Sequence, residues 1–246
     1  MEISEHQLRQ MAADVDEMHN DGMTSMASEI QELHAATRDL RHDRRHLLKK
    51  AGAGTAAALA LGSGVLPIAR LVPAFGQTLT DGDIAAFAAS VELTAVAAYT
   101  MAAESGKLQP AVKDVGVMFA GHHQAHADAF NGAAGAKAVT APNAKLLAAL
   151  GPDLTKALAA DQAAILEFAM TVENAAAATY LFALGALQSA AALKLTASIL
   201  PVESQHAVVL GTALGKSGKD LFPAGGTNNG FETDAAALRP DKFPVS

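Results

Sequence analysis

The sequence predicts an all-α chain, and three observations carry that expectation: an alanine-rich composition, apolar residues recurring at three- and four-residue steps, and long runs bounded by cap and turn residues. Half of the 246 residues are apolar while only 4% are aromatic, so the core must be built from small side chains that approach closely. Alanine is the best helix former and is depleted in strands, which favours packed helices over a sheet. The length fits one or two domains. A net charge of -7 argues against a nucleic-acid binder, which would show a basic face. The absence of cysteine excludes disulfides, thiolate metal sites and a lipidated N-terminal Cys.

Four segments follow in order. In residues 1–43, Leu8, Met11, Val15 and Met18, then Met23, Met26, Ile30, Leu33 and Leu40, recur at helical spacing around a break at Asn20-Asp21-Gly22. That pattern predicts two amphipathic helices, suited to a helical partner, a chaperone or self-association. Residues 44–76 begin with Arg44 and Arg45 in DRRHLLK, continue through an uncharged segment from Ala51 to Ala69, and end with Ala74 and Gly76 placed at -3 and -1 before Gln77. Paired arginines ahead of a Gly-softened apolar stretch resemble a twin-arginine export signal. The expected partner is then the twin-arginine export machinery, and the expected location is the periplasm or cell envelope. Left uncleaved, the same segment would tether the domain to the membrane.

Residues 77–220 read as helices. Cap residues at Thr80-Asp81-Gly82-Asp83 open a run that ends near Ser105-Gly106, and Pro110 opens a second that lasts to Asn131-Gly132. A Gly-, Ala- and Pro-rich stretch follows, with a short helix from Asn143 to Leu150. A third run spans Asp153 to Leu187 and a fourth Ala190 to Gly215. Residues 221–246 carry turn residues without a sustained period and predict an irregular tail lying over the bundle.

The chain repeats itself within this region. VELTAVAAY, Val91 to Tyr99, returns as VENAAAATY, Val172 to Tyr180, matching Glu92 to Glu173 and Tyr99 to Tyr180 at an offset of 81. HQAH, His123 to His126, aligns with ESQH, Glu203 to His206, at an offset of 80. A duplicated helical hairpin explains both. With a turn near Leu108, Glu92 and the His123–His126 segment each lie 16 or so residues away, about 24 Å at a rise of ~1.5 Å per residue. Glu173 and the Glu203–His206 segment are similarly symmetric about Gln188-Ser189. Residues three apart share a helix face, so Glu203 and His206 can reach one point. All four helices thus present metal-ligand side chains at one depth. Glu104 and Glu167 fall about 120° from those faces, taking about 100° per residue, and read as solvated.

These residues resemble the ferritin-like carboxylate-bridged dimetal proteins, four-helix bundles with a Glu on two helices and Glu-x-x-His on the other two. Glu203-Ser204-Gln205-His206 carries that motif intact, Glu92 and Glu173 match the single glutamates, and the stretch from Gly132 to Asp153 resembles the crossover between hairpins. The resemblance implies a metal set of Glu92, His123, His126, Glu173, Glu203 and His206, with Tyr99, Tyr180 and His122 supporting it. It implies iron, as a di-iron or mono-iron centre, or manganese. It further implies a metal-dependent oxidoreductase of ferroxidase type, acting on ferrous iron or a small substrate with oxygen or peroxide.

One position departs from the pattern. Where the second helix should carry a glutamate, His123 stands, leaving three carboxylates for a site that in the family has four. A neutral imidazole binds through one nitrogen and does not bridge as a carboxylate does. That departure supports a second expectation, a non-catalytic structural or binding module of the cell envelope with a degenerate metal site. His122 shares a face with His126 but aligns with Val202. The sequence contains no Gly-rich phosphate loop and no G-x-S-x-G elbow, and heme ligation would leave the repeated glutamates unexplained.

Overall fold

The computed structural model describes residues 3–51, 79–221 and 237–245. Six helices occupy them: α1 (Glu5–Ala51), α2 (Asp81–Glu104), α3 (Pro110–Ala134), α4 (Ala144–Ala159), α5 (Gln162–Ala186) and α6 (Ala190–Ala213). Among the described residues there is no strand. The apolar segment and cleavage position expected in residues 52–76 lie outside the described residues.

Helices α2 and α3 form one antiparallel hairpin and α5 and α6 the other, and the two hairpins pack into a four-helix bundle. Local chemistry sets each start. Thr80 and Asp83 form a reciprocal capping box on α2, Pro110 occupies the first turn of α3 where its missing N–H costs nothing, and Ser189 caps α6. The Asp81 carboxylate accepts from the backbone of Gln188 at 2.9 Å and Ser189 at 2.7 Å. This ties the start of α2 to the α5–α6 turn and fixes the relative height of the two hairpins. Alanines at 85, 86, 88, 89, 176, 177 and 178 are buried, so the facing helices meet through small side chains over much of their length. By length and composition α2 could cross a membrane, but it is mostly buried within the bundle.

The crossover contains more helix than expected. A helical third run was expected from Asp153; instead α4 continues through Pro152 to Ala159, and α5 starts afresh at Gln162. The break falls where Asp161 turns extended and its side chain accepts from Ala164 N, a cap stronger than the Gly151-Pro152 signal upstream. Asn143 caps α4 and also donates to Ser90 Oγ at 3.2 Å and to the Phe243 carbonyl at 2.8 Å. The described part of the tail, residues 237–245, lies over the bundle: Leu238 and Phe243 pack on Phe87, Val91 and Leu146, and Leu238 N donates to Thr179 Oγ1 at 2.8 Å.

The N-terminal segment differs most from expectation. No break occurs at Asn20-Asp21-Gly22; α1 runs unbroken for 47 residues and carries Arg44 and Arg45 in its final turns. A glycine inside a helix costs about 1 kcal/mol, and here tertiary packing on both sides offsets it. Leu8, Ala12 and Val15 are buried with Val115, Phe119, Ala207 and Leu210 of α3 and α6, while Met26 is buried with Phe130, Tyr180 and Ile199. The buried face is also rotated from the predicted stripe: Met18 is 52% exposed, whereas Ala12 and His19 are buried.

Candidate metal centre

The bundle geometry brings all six expected donors together at its midplane. Glu92 and Glu173 come from α2 and α5, His123 and His126 from α3, and Glu203 and His206 from α6; none is more than 2% exposed. His123 lies between the two single glutamates, with Nδ1 2.6 Å from Glu92 Oε2 and Nε2 3.1 Å from Glu173 Oε1. His126 Nδ1 approaches Glu203 Oε1 at 3.0 Å and Glu92 Oε1 at 3.5 Å. His206 Nδ1 approaches Glu173 Oε2 at 3.4 Å and Glu203 Oε2 at 3.9 Å.

These atoms fall into two sets of four, each within 4.8 Å: Glu92, His123, His126 and Glu203, and His123, Glu173, Glu203 and His206. The shared members are His123 and Glu203, the pair that the internal repeat aligns. The others are also related by the repeat: Glu92 and His126 of one hairpin correspond to Glu173 and His206 of the other. The centre is therefore a pseudo-two-fold arrangement in which one of the two shared positions holds a carboxylate and the other an imidazole.

The tyrosines act across the bundle. Tyr99 of α2 donates to Glu173 of α5, and Tyr180 of α5 donates to Glu92 of α2. Burial, reinforced by those carboxylates, raises both phenols well above their ordinary range, so they remain neutral donors. An apolar cavity of about 40 Å³ adjoins Tyr99, lined by Ala95, Ala102, Val112, Leu166 and Leu210 among others. Glu104 and Glu167, read as solvated, are indeed exposed.

Protonation follows from burial and mutual charge. Burial pushes the Glu203 carboxyl up to about 8, and the negative Glu92 adds to it. Burial alone would raise Glu92 and Glu173 as well, but the imidazoles of His126 and His123 hold Glu92 below the usual carboxylate range, and His123 and His206 do so for Glu173. Against burial, the surrounding glutamates lift His126 to about 9 and His123 well above its ordinary value. His206, with burial dominant, falls to about 4.

A group of donors arranged this way fits a divalent cation. Both oxygens of Glu203, Glu173 Oε2, both nitrogens of His126 and His206 Nδ1 are buried without a hydrogen-bond partner. Leaving so many polar atoms unpaired is costly, and a coordinated ion would satisfy those that face the cluster.

Sequence reasoning missed two residues, both on α1. His19 is buried and stacks on His122 with ring centroids 3.9 Å apart, and its ring lies 5.1 Å from that of His126. Asp16 Oδ1 lies 2.9 Å from His122 Nε2. Burial, together with the neighbouring His122 and His126, lowers His19 to about 3. The signal was present: Leu8, Ala12, Val15, His19 and Met26 follow one heptad face, and a histidine in an apolar series marks a polar neighbour.

A helical bundle whose duplicated hairpins converge glutamates and histidines on one buried point defines the ferritin-like class of fold. A family model for the ferritin-like domain matches residues 80–216, more than half of the chain, and the protein belongs to that family. No curated protein and no solved structure matches the chain.

Proposed function

We propose that this protein is an exported ferritin-like metalloprotein that holds iron, or alternatively manganese, inside the bundle and oxidises ferrous iron or a small substrate with oxygen or peroxide. The observation that carries this reading is the pair of four-donor sets meeting at His123 and Glu203, in which the atoms of Glu203 and His126, Glu173 Oε2 and His206 Nδ1 are buried without a hydrogen-bond partner. The carboxylates and imidazoles would hold the cation, which supplies one-electron redox chemistry when bound. Tyr99 and Tyr180 orient Glu173 and Glu92 by hydrogen bonding. Glu203 and His126 hold protons that leave when the centre is loaded. Buried Ala, Phe and Tyr side chains keep bulk water away.

Arg44 and Arg45 direct the chain to the twin-arginine export machinery. That route moves folded proteins, which suits a centre assembled before the membrane is crossed. On this reading the contact of α1 with the bundle belongs to the state before export, because the apolar segment that would enter the membrane lies between them in sequence.

Metal analysis of the full chain purified from iron-supplemented cells tests the proposal. Iron should be present in the wild type and lost from Glu203→Ala/His206→Ala; equal metal in the two forms would sink it. The second reading, a structural or binding module, is favoured by His123 alone, whose ring bonds two carboxylates as a cation would. Ferrous oxidation separates the two, since a module should show no turnover even with metal supplied.

A further inference from the structure

A hydrogen-bonded chain runs from the metal centre to the surface through His122 of α3 and Asp16 of α1, and neither has a matching residue in the other hairpin. Asp16 Oδ1 lies 2.9 Å from His122 Nε2, and His122 Nδ1 lies 3.0 Å from His206 Nε2. A carboxylate oxygen only accepts, so His122 Nε2 must carry the proton in this pair. A neutral His122 then has its lone pair on Nδ1, which accepts from His206 Nε2–H. His206 is left with its lone pair on Nδ1, the atom that faces Glu173 and Glu203 and has no hydrogen-bond partner.

We infer that Asp16 is a positioning residue of the centre: acting through His122, it fixes His206 in the tautomer whose Nδ1 is free to bind a divalent cation. Oriented ligand histidines are commonly held by a carboxylate on the far nitrogen; here an imidazole is interposed and the carboxylate comes from the N-terminal extension. His19 stacks flat on one side of His122, and Phe119 stacks on His206 with centroids 3.9 Å apart, so both rings are confined to the planes the chain requires. The arrangement is one-sided. His122 has Val202 as its repeat counterpart, and the other terminal histidine, His126, has an unpartnered Nε2.

The cation-binding part of this inference rests on the metal reading above, whereas the tautomer part does not. The test uses the full chain labelled with ¹⁵N-histidine. In the metal-free wild type, long-range ¹H–¹⁵N correlation should show His206 protonated at Nε2 and bare at Nδ1. Asp16→Ala should convert His206 to a mixture of tautomers, leave the His126 signals unchanged, and weaken Co²⁺ binding about ten-fold. Asp16→Glu should recover most of both. His122→Phe keeps a flat ring against His19 while deleting both hydrogen bonds, so it removes the relay while retaining an aromatic ring there and should behave like Asp16→Ala. A His206 Nδ1 that stays bare in both variants, with Co²⁺ affinity within two-fold of wild type, would overturn the inference. A wild type that binds no Co²⁺ would instead refute the metal reading, and the tautomer measurement would still decide the role of Asp16.

Discussion

Metal binding at this centre should release about three protons near neutral pH, and the number reports on His123. At pH 7 Glu203, raised to about 8, and His126, raised to about 9, both carry protons; so does His123, held well above its ordinary value. Glu92 and Glu173 are already ionised and His206, lowered to about 4, is already neutral. A cation bound by Glu92, His123, His126 and Glu203 must therefore displace three protons, whereas one that leaves His123 as an imidazolium between its glutamates displaces two. The sign is set by release: affinity tightens as pH rises and levels off once the raised groups have titrated. Each proton contributes a factor of ten per pH unit, so Co²⁺ affinity should rise roughly a thousand-fold per unit below about pH 8 in the first case and roughly a hundred-fold in the second. Titration calorimetry of the full chain in buffers of different ionisation enthalpy counts the protons directly. Release of fewer than one proton, with affinity flat between pH 6 and 7.5, would refute the protonation pattern and with it the role given to Glu203.

Two further outcomes follow from packing. Phe119 is fully buried against Tyr99 and His206, so Phe119→Ala should lower unfolding free energy by about 3–5 kcal/mol through lost burial and the residual cavity, measured by urea denaturation of the metal-free chain. Val15 is 6% exposed in the α1 contact, and Val15→Asp places a carboxylate there without a partner; α1 should become protease-sensitive while the bundle resists cleavage and His122 gains reactivity toward an acylating reagent.

Much of the centre was legible because duplication writes the same chemistry twice. Glu92 alone is an acid in an alanine-rich helix, but its recurrence with tyrosine at Glu173 and Tyr180 identifies a pair, and the rise per residue places both at the depth of the histidine motifs. What the repeat could not show is reciprocity. Each tyrosine supports the glutamate of the other hairpin, a consequence of how the hairpins face one another rather than of spacing within either. The α4–α5 boundary was misjudged because Gly151-Pro152 is a strong local signal, yet a proline can be accommodated within a helix, whereas Asp161 supplies a cap that starts a new one. The α1 helix was misjudged for the opposite reason: its break signal at Gly22 is real but weak, and Leu8 and Val15 on one side and Met26 on the other anchor both halves to the same bundle. Asp16 and His19 carry no repeat signal because they lie 65 and 62 residues ahead of the first repeated helix, and only the fold brings them to His122.

The histidine at position 123 then has a physical consequence beyond the loss of a bridging carboxylate. With glutamate there, four buried carboxylates would face two imidazoles, and mutual repulsion would leave the metal-free bundle dependent on an ion or on extra protons to close. With His123, two raised imidazoles offset the two ionised glutamates, and Glu203 keeps its proton. Charge is balanced without metal, and the hydrogen bonds of His123 to Glu92 and Glu173 span the gap between hairpins that an ion would otherwise span. His123 therefore gives the buried glutamates a partner within the protein itself. On the metal reading proposed above, a cation has to compete with His123 for two carboxylates. That competition makes the tautomer of His206 matter, because a neutral ligand already bare at Nδ1 can bind without first moving its proton to the other ring nitrogen.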